Sequence, residues 1–130
     1  MARRDKRRPT DAELEILAVL WDLGPSTVRQ VHEHIAGTRE VGYSTILKFM
    51  QIMTEKGLVV RDEDVRPQVF RPSRTQRHTQ KQMLGDLMER VFGGAPGPLV
   101  LQALSSRRLT DDERTLIREM LDEQDKEHAQ

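Results

Sequence analysis

The chain has no cysteine, which removes disulfides, thiol nucleophiles and cysteine-based zinc or copper centres. Aromatics are scarce: Trp21, Tyr43 and three phenylalanines, 4% of the residues. A core must therefore come from Leu, Ile, Val and Met. No long apolar run exists. The longest, Ile16 to Trp21, falls far short of the ~20 residues that span a bilayer. No signal-peptide stretch follows the basic start, so the expected location is cytoplasmic, without membrane contact. Neither sign of charge is in excess, with 21 Lys+Arg against 21 Asp+Glu.

That balance is uneven along the 130 residues. Residues 1–80 hold 14 Lys+Arg and 11 Asp+Glu, net +3, and residues 81–130 hold 7 and 10, net −3. "RRDKRR" near the start is the densest basic run, and the last twenty residues are acidic. A basic front half suits contact with a polyanion, although two solvated tails would give the same count.

Local signals divide the chain into short elements. "TDAE" is a capping box that opens a helix at Thr10, with Leu14, Leu17, Ala18 and Trp21 sharing one face. "GPS" stops it. Thr27 with Gln30 caps a second helix that buries Val28, Val31 and Ile35. A third runs from Tyr43, behind Gly42, to Lys56, where Gly57 suits the left-handed position past a helix end. Two strands follow, Leu58 to Asp62 and Gln68 to Arg71, joined by "EDVRP". Ser73 with Gln76 caps a fourth helix that reaches Phe92. "GGAPGP" breaks it, a short apolar helix follows, and "TDDE" opens the last helix at Thr110 before the chain dissolves into "DEQDKEHAQ".

The expected fold is mainly α: a winged helix-turn-helix N-terminal domain followed by a helical C-terminal dimerisation region. The boundaries are a basic arm (1–9), the winged helix (10–72), the dimerisation region (73–125) and an acidic tail (126–130).

The third helix carries the chemistry. On a 100° wheel Ile46, Phe49, Met50 and Met53 face inward, while Ser44, Lys48, Gln51 and Glu55 face out, flanked by Leu47 and Ile52. In a winged helix this outer face enters the DNA major groove, led by its N-terminal residues Tyr43 to Thr45. Gln51 can bond adenine, Lys48 guanine or phosphate, Ser44 and Thr45 bases or phosphate, and Leu47 a thymine methyl. Lys56, Arg61, Arg66 and Arg71 add cations, with Arg66 at the tip of the wing. Asp62, Glu63 and Asp64 must turn outward, and a purely structural hairpin is the alternative there.

The rear helices cannot bury their faces alone. The fourth carries Met83, Leu84, Leu87, Met88, Val91 and Phe92. The fifth carries Leu99, Val100, Leu101 and Leu104, and the sixth Leu116, Ile117, Met120 and Leu121. Pairing with a second copy would cover them and present two recognition helices to a palindrome. Folding back of the fourth helix on its own domain is the competing arrangement.

Other chemistry is thin. His32 and His34, two apart, point to different faces and read as surface histidines. Asp111, Asp112 and Glu113 favour a helix N-terminus. No phosphate loop or nucleophile elbow occurs. No catalytic residue, metal ligand or cofactor is expected.

"TDAELEILAVLW", "GYSTILKFMQIMTEKGLV" and "VFRP", with weaker support from "VFGGAPGPLVLQALSS", resemble the penicillinase-repressor family of winged-helix transcriptional regulators. The resemblance spans about Thr10 to Leu121. It implies a non-enzymatic homodimeric repressor on an inverted-repeat, double-stranded DNA operator. It places recognition at Tyr43, Ser44, Thr45, Leu47, Lys48 and Gln51, with Arg66 as the wing arginine. It also implies a sensor or protease partner for some members. The chain departs from the family at Ile52 (often arginine), at Val65 (often glycine) and at Gln102-Ala103, which stands where some members have a cleaved Asn–Phe pair. The alternative function is a winged-helix protein-interaction module without specific DNA binding.

Overall fold

The computed structural model describes residues 8–128. Among them six helices and one hairpin follow in the order α1 (Asp11–Leu23), α2 (Val28–Ala36), α3 (Tyr43–Glu55), β1 (Val59–Asp62), β2 (Val69–Pro72), α4 (Gln76–Val91), α5 (Pro96–Ser106) and α6 (Asp111–His128). The first three helices and the hairpin form a winged helix-turn-helix. The chain divides between Gln82 and Met83, inside α4, into two compact units.

In the first unit, local chemistry starts each helix. Thr10 Oγ1 accepts from the Glu13 amide at 3.3 Å while Glu13 Oε1 accepts from the Thr10 amide at 2.9 Å. Thr27 and Gln30 repeat the exchange at α2, at 3.1 and 2.8 Å. Gly42 precedes α3 without a side-chain cap. Two further bonds close the other end of α3. The Gly57 amide donates to Thr54 O at 3.1 Å and the Leu58 amide to Met53 O at 2.9 Å. This pairing needs a left-handed residue, and Gly57 has φ +78°. The chain is thereby turned directly into β1.

The core lies where α1, α2, α3 and the sheet meet. Ile16, Leu17, Leu20, Val31, Ile35, Ile46, Met50, Met53, Val59 and Phe70 are all buried. The buried arc of α1 is wider than the Leu14–Leu17–Ala18–Trp21 face expected. Ala18 is exposed, and Ile16, Val19 and Leu20 are buried. The cause is that α1 packs against both α2 and β2. Phe70 exchanges two backbone bonds with Ser26, at 2.8 and 3.0 Å, which ties the hairpin to the α1–α2 connection.

β1 and β2 are antiparallel, with Val59 opposite Pro72 and Asp62 opposite Val69. Each strand lies one residue later than expected at its start. α4 is capped by Thr75, whose Oγ1 accepts from the His78 amide at 3.1 Å, and not by Ser73. Trp21 Nε1 donates to Arg74 O at 3.0 Å, and Thr79 is buried.

Among the described residues the second unit contains no buried residue. No helix pair among α4, α5 and α6 makes an extensive contact. α5 begins at Pro96, inside the expected breaker, because a first-turn proline lacks only an N–H that a helix leaves unpaired anyway. Thr110 and Glu113 form the third capping box, at 3.1 and 2.9 Å. α6 continues to His128 through the stretch expected to dissolve, with Glu123 and Lys126 at 3.8 Å along its surface. No helix among the described residues is long and apolar enough to cross a membrane.

Candidate nucleic-acid interface

α3 is fixed by its inner face. Ile46, Met50 and Met53 are at most 1% exposed, and Phe49 packs against the same cluster. The outer face therefore has a set direction. Ser44, Thr45, Lys48 and Gln51 are all exposed, and Leu47 is half-buried. Tyr43, at the first helical position, is 45% exposed.

Tyr43 is held from behind. His32 on α2 donates its Nε2–H to Val41 O at 2.9 Å, since a carbonyl can only accept. Its ring meets the Tyr43 ring edge to face, centroids 5.8 Å apart and planes at 81°. His32 is half-buried, so the surface reading fails for it and holds for His34, which is exposed. The difference comes from the loop folding back over α2, which spacing within α2 does not report.

A groove of about 650 Å³ runs between α3 and the wing. Tyr43, Leu47 and Gln51 line it from α3, and Arg61, Arg66, Pro67, Gln68 and Phe70 from the hairpin. Thr27, Val28 and Arg29 close it from the start of α2. It thus gathers four of the seven expected contact residues, Tyr43, Leu47, Gln51 and Arg66. Ser44, Thr45 and Lys48 lie on the exposed side of α3 outside it.

Arg29 was not among the expected residues. It sits in the first turn of α2, which has no acidic residue to offset it. A cation at that end opposes the helix dipole. That unfavourable placement was the available signal.

The cations expected around α3 separate into three kinds. Lys56 is not a surface cation: its Nζ lies 2.6 Å from Glu13 Oε1 and 3.1 Å from Arg8 O, with the Glu13 side chain 2% exposed. Arg61 is exposed but engaged by Glu63 at 2.8 Å. Arg66 and Arg71 are exposed, and neither enters an ion pair among the described residues. Asp62 Oδ1 accepts from the Asp64 amide at 3.0 Å, so two of the three wing carboxylates are occupied with the turn itself. The remaining basic residues of the arm, Arg3 to Arg7, lie outside the described residues.

Elsewhere in this unit, Arg39 grips Glu15 with two nitrogens, the shortest contact being 2.6 Å. The hydrogen bond from Arg39, assisted by its charge, holds the Glu15 carboxyl below its ordinary value of 4.5. This pair ties the α2–α3 loop to α1. Among the described residues no cluster of three or more His, Asp or Glu is arranged to hold a metal.

In the second unit, the apolar residues expected at a dimer interface are exposed or half-buried. Met83, Met88, Phe92, Leu99 and Ile117 are half-buried. Leu84, Leu87, Val91, Val100, Leu104, Leu116, Met120 and Leu121 are exposed, Met120 by 67%. Leu101, at 68%, belongs with them. Such a surface is unusual for a chain that stays alone.

Comparison with known proteins gives three findings. A family model described as penicillinase repressor matches residues 9–123. The transcriptional regulator BlaI of Mycobacterium tuberculosis, in two strains, is 32% identical over 79 residues, 60% of this chain and 54% of that protein. The chain thus spans about half the length of the curated relatives it matches. A MarR family protein from Bacillus stearothermophilus superposes with a TM-score of 0.48 at 18% identity, covering 93% of this chain and 76% of that one.

Proposed function

Because the chain belongs to the penicillinase repressor family, we propose that it is a DNA-binding transcriptional repressor that acts in the cytoplasm as a homodimer on an inverted-repeat operator. One observation carries the reading. The face of α3 with Ser44, Lys48 and Gln51 is exposed, while the opposite face is locked into the core. A rigid helix with a free polar face can read base edges; a mobile one would lose the contacts to entropy. Gln51 offers the paired amide groups that match adenine, and Lys48 a donor for guanine or phosphate. Arg66 on the wing and Arg29 at the start of α2 border the groove beside α3 and are available for backbone phosphates. The uncovered apolar faces of α4, α5 and α6 support pairing of two copies, which would set two α3 helices on two half-sites.

Selection from a random duplex pool should enrich an inverted repeat, with half-site centres about one or two helical turns apart. Lys48→Ala and Gln51→Ala should each narrow the preference for that repeat over random DNA by roughly 1–3 kcal/mol. Equal binding of the parent protein to both DNAs would overturn the role of α3 and favour a protein-interaction scaffold.

A further inference from the structure

We infer that the groove between α3 and the wing is also a binding site for a small apolar carboxylate, whose entry excludes DNA. The charge of the groove is one-sided. Arg29, Arg61 and Arg66 line the groove, and no Asp or Glu does, in a chain whose formal net charge is zero. Arg29 and Arg66 enter no ion pair among the described residues, so two guanidinium forks stand without a carboxylate. A guanidinium matches a planar carboxylate with two parallel bonds.

The floor of the groove is largely apolar. Between the arginines lie the Tyr43 ring, Leu47 and Pro67. A seat for bare phosphate needs donors and gains nothing from this surface. An anion with an aromatic or branched aliphatic body would cover it, and the volume of about 650 Å³ admits one or two fused rings. The groove is open to solvent, so a dissociation constant on the order of 0.1–1 mM is expected for a ligand of that size.

Competition with DNA, unlike the site itself, rests on the DNA-binding reading. Tyr43, Leu47, Gln51 and Arg66 are shared by the groove and the proposed contact surface, so the two ligands compete.

The test uses the full chain and three probes: naphthoate, its neutral amide and inorganic phosphate. Amide chemical shifts are followed without DNA, then naphthoate is titrated into a complex with duplex. Naphthoate should shift the amides of α3, the wing and the start of α2, and bind at least about tenfold more tightly than the amide. Arg29→Gln with Arg66→Gln should weaken it about tenfold with an unchanged melting temperature, since both side chains are exposed. Naphthoate should displace duplex at concentrations near its own dissociation constant. Equal binding of the neutral amide, equivalent shifts with phosphate, shifts located elsewhere, or co-binding with DNA would each overturn the inference. Failure of naphthoate beside intact operator binding sinks this site alone. Naphthoate binding by a protein that ignores all DNA sinks the repressor reading and leaves the site standing.

Discussion

Replacing Lys56 by methionine removes a charge that the fold has taken inside. The ammonium stands 2.6 Å from Glu13 and 3.1 Å from the Arg8 carbonyl. Methionine keeps most of the stem, so little packing is lost. What stays behind is a Glu13 carboxylate only 2% exposed, with the Thr10 amide at 2.9 Å as its remaining donor. Breaking a buried pair in this way costs about 3–5 kcal/mol. Lys56 itself is 20% exposed, so water reaches one side of the pair and the low end of that range, about 3 kcal/mol, applies. At about 4–8 °C per kcal/mol for a domain of this size, the melting point should fall by roughly 12 °C or more. Glu13→Gln added to Lys56→Met should return stability to within about 1 kcal/mol of the parent, because glutamine preserves the capping box and neither charge is then stranded. Urea midpoints at fixed protein concentration give the energies. Salt dependence of DNA binding gives a second reading: a phosphate-contacting lysine would take about 0.9 off the slope of log affinity against log salt, and an inward lysine takes nothing. A cost below 1 kcal/mol, a double variant no better than the single, or a slope reduced by a full contact would each refute the reasoning.

Other outcomes follow from single positions. A Cβ at Gly57 would meet nothing within 4 Å, so Gly57→Ala tests the left-handed backbone alone; it should cost about 1–2 kcal/mol in a thermal melt, with asparagine recovering part. The Glu15 carboxyl is lowered in the folded state by the Arg39 hydrogen bond, so its contribution is present at neutral pH and disappears as pH falls through and below 4.5. Arg39→Ala should move the Glu15 titration, followed by carboxyl NMR, back toward that value and flatten this part of the acid limb. Thr110→Val should likewise raise Glu113, whose carboxyl is lowered first by the Thr110 backbone bond and then by its side chain.

What could be read from the sequence was local or periodic. Four capping pairs lie within four residues each; three of them form, and at α4 Thr75 caps the helix in place of Ser73. The spacing of Ile46, Met50 and Met53 matches one turn of helix, and these three are among the deepest residues of the core. Gly57 stops α3 because few other residues accept its φ. What could not be read depends on residues brought together from afar. Glu13 meets Lys56 across 43 positions, which turned an expected DNA cation into a structural one. Ser26 pairs with Phe70, so a segment that looked like a helix stop also anchors the wing. Arg29 joins Arg61 and Arg66 only because the start of α2 faces the hairpin. The end of α6 was missed for another reason: it has no apolar stripe, and apolar spacing was the signal used to find helices.

The charge on the proposed DNA face bears on why the proposed repressor would act as two copies. In one subunit Arg29, Lys48 and Arg66 are exposed around α3 without an ion-pair partner among the described residues, while Lys56 and Arg61 are engaged. Three neutralised phosphates give a salt slope of about 2.7 for one subunit and about 5.4 for two. A slope near 2.7 belongs to weak binding, and a chain of zero net charge has little general attraction for DNA to add. In the proposed dimer, occupancy of an operator would rest on joining two weak half-sites, where tethering alone raises affinity by roughly 10²–10⁴. Leu116→Glu with Met120→Glu tests this, because both side chains are mostly exposed, by 59% and 67%, and their loss leaves the winged helix intact. The variant should sediment as a monomer, keep the parent's preference for one half-site over random DNA, and show about half the salt slope. A monomeric variant that kept the full slope would mean that the second subunit contributes no phosphate contacts, and the two-subunit account of operator binding would fall.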